Sequence, residues 1–171
     1  MVPYGYYPDP RWSPMAYWPP YLPAAGMEME GTAGGERAPE QRQRTPYIVN
    51  IHLATMRNRY YRNVIWTGRH LQLALMSIDP GGDIGLEVHP QVDQFIRIEQ
   101  GQGLVRTGRS RDRLDFERAV RTDDVIIIPA GTWHNVINTG RNALKLYTIY
   151  APPEHKAGTV HKTKADAVSG E

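Results

Sequence analysis

The chain has 171 residues, enough for one domain with its own hydrophobic core and a tail. Lys and Arg number 20 against 18 Asp and Glu, a formal net charge of +2, too balanced to suggest a nucleic-acid partner. Cysteine is absent, which excludes disulfides, zinc–thiolate sites and cysteine catalysis, and no apolar run approaches the roughly 20 residues of a membrane span. No leader is expected, because the first residues lack a basic stretch followed by an apolar core.

Residues 1–23 hold half of the chain's 14 prolines and half of its 10 tyrosines, together with Trp12 and Trp18. Proline at this density cannot enter a helix interior or a central strand. The segment is expected to be extended, with aromatic rings able to dock on a partner or a neighbouring subunit. Residues 24–45 are small, polar and charged and read as a linker. The division expected is therefore a Tyr/Pro-rich tail and linker over 1–45, a β-barrel over 46–152 and a polar C-terminal segment over 153–171, packing loosely over the domain or fraying.

From Tyr47 onward, short apolar or alternating runs recur between turn residues. They predict strands at 47–51, 62–66, 71–78, 85–88, 94–99, 103–107, 116–120, 125–128, 134–138 and 143–150. A short helix is expected near 53–58. Many short strands at spacings near ten residues imply an all-β sandwich or barrel.

Two segments carry the chemistry. The first runs from Gly81 through Glu87, His89 and Gln94 to Gly101; the second runs from Asp123 through Pro129, Gly131 and His134 to Asn138. Glu87 and His89 are two apart, so on a strand both face one side. If both segments face one barrel interior, two imidazoles, a carboxylate and an amide oxygen converge. That set suits Mn(II), Fe(II), Ni(II) or Zn(II) and lacks the thiolates of a structural zinc site. Asp93 competes with Gln94 for the fourth position; as neighbours on a strand they face opposite ways.

The two segments resemble the paired signatures of the cupin superfamily. The first family pattern is Gly, five residues, His-x-His, three or four residues, Glu, six residues, Gly. The second is Gly, five residues, Pro-x-Gly, two residues, His, three residues, Asn. Both spacings match here, and three positions depart: Glu87 stands for the first histidine, Gln94 for the glutamate and Asp123 for the second opening glycine. The resemblance implies a cupin-type double-stranded β-helix, a jelly-roll barrel, with an extended N-terminal tail. It implies a metal site of Glu87, His89, Gln94 and His134, with lower affinity or altered selectivity because an amide replaces a carboxylate. Gly81, Gly101, Pro129 and Gly131 are expected to serve turns.

Several other features read as structural. The arginines at 106, 109, 111, 113 and 118 alternate with acidic residues, as on a solvated hairpin edge. Arg97 and Glu99 are expected on the outer sheet face. Trp66, Phe95, Trp133, Tyr147 and Tyr150 are expected in the core, a pocket or an interface. His155 and His161 are expected at the surface, or as part of a lid over the barrel.

The resemblance points to the group of small cupins called mannose-6-phosphate isomerase-like. It implies a metal-binding protein with a small-molecule ligand or substrate, isomerase-like on a sugar or sugar phosphate, or alternatively an Fe(II) dioxygenase. A non-catalytic assembly protein of spore-coat type, using the Tyr/Pro-rich tail, is the reading from a different class. A homodimer, or a higher assembly through the tail, is expected, with no nucleic acid and no membrane. The expected location is the cytoplasm or, for the assembly reading, the spore coat. No single residue is marked as catalytic.

Overall fold

The structure, a computed structural model, describes residues 46–169. The tail and linker expected over 1–45 lie outside the described residues. Helix α1 (Ile51–Arg57) comes first, capped by Asn50, whose side chain accepts from the Leu53 N–H. The run expected as a strand at 47–51 therefore leads into a helix. Residues 47–50 pair with no strand, and Ile48 is 95% exposed.

The strands follow: β1 (Arg62–Thr67), β2 (Gln72–Ile78), β3 (Asp93–Gln100), β4 (Gln102–Gly108), β5 (Phe116–Arg121), β6 (Val125–Ile128), β7 (Trp133–Asn138), β8 (Leu144–Ala151) and β9 (Val160–His161). They form one six-stranded sheet in the order β6-β3-β8-β2-β1-β9 and one three-stranded sheet in the order β5-β4-β7, with antiparallel ladders throughout. This is the all-β jelly-roll architecture expected. Inward residues alternate with outward ones along each strand, as one buried face requires. Along β8, Leu144, Leu146, Thr148 and Tyr150 are buried, and the residues between them are half-buried. The main core joins Met76, Ile78, Ile96, Ile98, Val105, Val136, Leu144 and Leu146; a smaller cluster holds Val64, Ala74, Val92 and Tyr150.

Two expectations change. The stretch 85–88 is not a regular strand. Residues 81–89 lie along β7 through single bridges, Asp83 to Ile137 and Glu87 to His134. Gly85 sits at φ +90°, in the left-handed region, and its N–H donates to the Asp83 side chain, so the ladder breaks there. The polar stretch after Tyr150 adds β9 to the edge of the large sheet beside β1, then helix α2 (Lys164–Ser169), whose Lys164 pairs with Asp83.

Outside the barrel, Arg97 and Glu99 do face outward, but Glu99 is buried. His52 of α1 covers it, with Nδ1 2.6 Å from the carboxylate, and Arg97 reaches both Glu99 and Asp123. Asp123 adopts φ +74°, the conformation for which the family pattern keeps glycine. The arginine-rich stretch is the exposed β4–β5 hairpin, with surface pairs Arg106–Glu117 and Arg113–Asp115. Among the described residues, no helix is long and apolar enough to cross a membrane.

Candidate metal centre

Three backbone features bring the site together. Glu87 and His134 exchange both backbone hydrogen bonds, at 3.0 and 2.9 Å, so their side chains leave the ladder side by side. The Gly131 N–H donates to the His89 carbonyl at 2.8 Å and ties the two motifs at a second point. Gly131 lies at φ +76°, which closes the Pro129–Thr132 turn and starts β7 one residue before His134.

The result is a compact group in which one ligand atom each from Glu87, His89 and His134 lie within 4.8 Å of one another. Glu87 Oε1 stands 3.4 Å from both His89 Nε2 and His134 Nε2. Atoms bound about 2.1 Å from one ion stand about 3.0–3.4 Å apart. All three atoms are buried without a hydrogen-bond partner. Buried polar atoms are normally satisfied, so three orphans grouped this closely fit a cation.

The other nitrogen of each imidazole is engaged. His134 Nδ1 lies 2.8 Å from the Thr132 carbonyl, and His89 Nδ1 lies 3.0 Å from the Glu154 carboxylate. A carbonyl or carboxylate accepts from an Nδ1–H, which leaves the Nε2 lone pair free for a metal. Burial works against charge on Glu87, but His134, His89 and Arg62 beside it outweigh burial and hold its carboxyl down at about 2. Burial lowers the His89 pKa, yet Glu87 and Glu154 leave it raised above the usual imidazole value.

Gln94 occupies the same inner face. It pairs with Tyr150 across β3 and β8, and the Tyr150 ring packs edge-on to His89 with centroids 5.6 Å apart. Gln94 is 2% exposed; its Nε2 donates to Thr148 Oγ1 at 3.1 Å, and its Oε1 is buried without a partner. Asp93 is exposed, and its carboxylate accepts from the Ala130 N–H at 2.8 Å, so it serves the turn outside. Of the two alternatives, Gln94 faces inward.

Four further residues border the triad. Arg62 is 3% exposed, with a guanidinium nitrogen 3.7 Å from Glu87 Oε2. Tyr150 is fully buried, and burial raises its phenol above the ordinary value. Glu154 and His155 come from the segment after β8. The His155 ring packs edge-on to Tyr150 at 5.1 Å, half-buried instead of at the surface. Burial and the nearby Arg62 push the His155 pKa down to about 4, so this imidazole is neutral. The inward alternation of β1 and β8 marks Arg62 and Tyr150, but Glu154 and His155 lie in a loop that carries no period. The motif's Asn138 is structural: it is fully buried, donates to the Ile78 and Asn142 carbonyls and accepts from the Gly140 N–H.

The chain belongs to the cupin superfamily: it folds as a double-stranded β-helix, and its Glu87, His89 and His134 group lies at positions where the family pattern places histidines. The cupin domain profile matches residues 74–150. The chain is 61% identical over 126 residues to the Bacillus subtilis protein YrkC, covering 74% of this chain and 68% of that one. It is 47% identical over 120 residues to protein L612 of Acanthamoeba polyphaga mimivirus, covering 69% and 72% respectively. The crystal structure of BH2720 from Bacillus halodurans superposes with a TM-score of 0.73 at 57% identity, over 74% of this chain and 96% of that one.

Proposed function

We propose that this cupin holds one divalent metal ion on Glu87 Oε1, His89 Nε2 and His134 Nε2, with the Gln94 amide oxygen available beside them, and acts on a small molecule there. The observation that carries the reading is the convergence of three buried, unpartnered ligand atoms, with the Nδ1 of each imidazole turned to an acceptor on its other side. Among enzyme activities, the oxygenase reading has more support than the isomerase reading. Two histidines and one carboxylate form the ligand set of non-haem iron oxygenases. Isomerisation needs a free base beside the substrate. Here Glu87 belongs to the ligand group and Glu154 is committed to His89.

A bound ion would supply Lewis-acid polarisation of a substrate oxygen or, as iron, dioxygen activation. The chain's own groups do the rest. Arg62 helps to keep Glu87 ionised, Glu154 and Thr132 orient the imidazoles, and Tyr150 offers a buried hydroxyl beside Thr148.

The test is metal content by mass spectrometry on protein purified without added metal, with the His89→Ala, His134→Ala double variant as its pair. About one equivalent is expected in the parent and none in the variant. Iron would direct the assay to dioxygen consumption; manganese, nickel or zinc would direct it to isomerisation. A parent that stays empty after reconstitution overturns the reading.

A further inference from the structure

The segment that follows β8 returns past the site to pair with β1 as β9, and at His155, before that pairing begins, a buried side chain holds its backbone. Gln72, the first residue of β2, is fully buried. Its amide is used on both sides by a single residue: Nε2 donates to the His155 carbonyl at 2.7 Å, and Oε1 accepts from the His155 N–H at 2.9 Å. Nε2 also donates to Thr67 Oγ1 at 2.9 Å, which fixes the amide's rotation. A buried side-chain amide paired to both polar groups of a distant residue's backbone acts as a one-residue strand partner. It sets the position of His155 and of the residue before it.

That preceding residue is Glu154. Its carboxylate lies 3.0 Å from His89 Nδ1, while the side chain remains 30% exposed. The two site histidines are thus oriented by different means. His134 uses the Thr132 carbonyl, two residues before it in the same motif. His89 depends on a carboxylate supplied from 65 residues away in sequence, beyond both motifs.

We propose that Glu154 is the positioning residue for His89, and that Gln72 delivers it by clamping the backbone at His155. This deepens the proposed metal site and rests on that reading. The carboxylate accepts the Nδ1 proton, aims the ring so that Nε2 faces Glu87 Oε1, and makes Nε2 a stronger donor. Loss of the clamp removes the carboxylate without touching any ligand, so metal affinity is coupled to the C-terminal segment.

The test uses the full chain and two readouts. Affinity for Zn(II) and Co(II) is measured by competition with a chelator in the parent, Glu154→Ala, Glu154→Gln, Gln72→Leu and the Glu154→Ala, Gln72→Leu double variant. The His89 ring nitrogens are then followed by NMR in the metal-free parent and Glu154→Ala proteins at about pH 9, where imidazole is neutral. Glu154→Ala is expected to weaken binding about 10- to 100-fold. Glu154→Gln, which keeps an acceptor but no charge, is expected to fall between parent and alanine. Gln72→Leu should match Glu154→Ala, with little further loss in the double variant. In the metal-free parent, His89 should show the Nδ1–H form, and Glu154→Ala should release it to a tautomer mixture.

Unchanged affinity and an unchanged tautomer in Glu154→Ala would overturn the positioning role. Weak binding in Glu154→Ala alongside parental binding in Gln72→Leu would overturn the clamp. A parent that binds no metal overturns the metal reading itself, and the tautomer measurement still decides whether Glu154 orients His89. Glu154 is partly exposed, so its substitution spares the core; if Gln72→Leu fails to fold, Gln72→Glu, which keeps one acceptor and loses the donor, takes its place.

Discussion

Strand β3 points Gln94, Ile96 and Ile98 into the barrel; β7 points His134, Val136 and Asn138; β8 points Tyr150, Thr148, Leu146 and Leu144. Along β3 and β8 the inward residues change from polar at the site end to apolar towards the far end; β7 runs from His134 to Val136 in the same sense and ends on Asn138. The ladder pairs Gln94 with Tyr150 and Ile98 with Leu146, so the change falls at matching depth on neighbouring strands. At the site end, polar atoms of Glu87, His89, His134 and Gln94 are buried without partners. Among the side chains that point into the barrel at the far end, Asn138 is polar and has every polar group engaged. A buried polar atom left unsatisfied costs about 1–3 kcal/mol, so several together are an expense to the fold that a ligand would offset. The far end holds the barrel together, and the site end spends part of that stability on keeping donor atoms open.

The sharpest way to test this division is to damage the far end. Leu146→Ala removes a fully buried side chain from the main core. It should lower stability by about 2–5 kcal/mol, read from urea unfolding. Metal stoichiometry of the folded fraction should stay at the parental value, because no ligand rests directly on Leu146. Loss of metal from protein that is still folded would show that the two ends are one unit and would break the comparison.

The same division explains what could be read from the sequence. Period-two alternation located eight of the ladder strands to within a residue or so at each end, because inward positions are apolar over most of their length. The motif spacing located Glu87, His89 and His134, since turns at Gly81, Gly101 and Gly131 fix how far apart they fall. It could not separate Gln94 from Asp93, which needed the register of β3. It also gave no sign of Glu154 and His155. Their contacts depend on a loop held by a buried amide 83 residues earlier, and such a contact leaves no period and no spacing. The irregular stretch over 83–88 was read as a strand because its apolar residues alternate. Gly85 and the Asp83 turn override that alternation.

Mild acid should act on the site end through His155. The folded-state pKa of His155 is depressed to about 4 from the ordinary 6.5. The folded protein therefore binds fewer protons than the unfolded chain in this interval. The stabilisation that goes with neutral His155 is complete above about pH 6.5 and is lost as pH falls towards 4, by at most about 3 kcal/mol. In metal-free protein, the melting temperature of the parent should fall relative to His155→Gln across that window, and the two curves should run parallel above it. Parallel curves throughout would mean that protonated His155 is accommodated, and that the segment after β8 is looser than its hydrogen bonds to Gln72 imply.

The smallest expected effect separates fold from function most directly. Gln94→Leu makes the site end locally resemble the far end with little change in volume. It removes a buried oxygen that has no partner and gives up one hydrogen bond to Thr148. These two terms oppose each other, each worth about 1 kcal/mol, so the urea midpoint of the metal-free protein should stay put or rise slightly. Metal affinity should fall several-fold if the amide oxygen joins Glu87, His89 and His134, and not at all if Gln94 only borders them. A stability loss of about 2 kcal/mol or more would reverse the argument. It would mean that Gln94 is retained for the packing of β3 against β8, and that an orphaned polar atom at this end does not by itself mark a ligand.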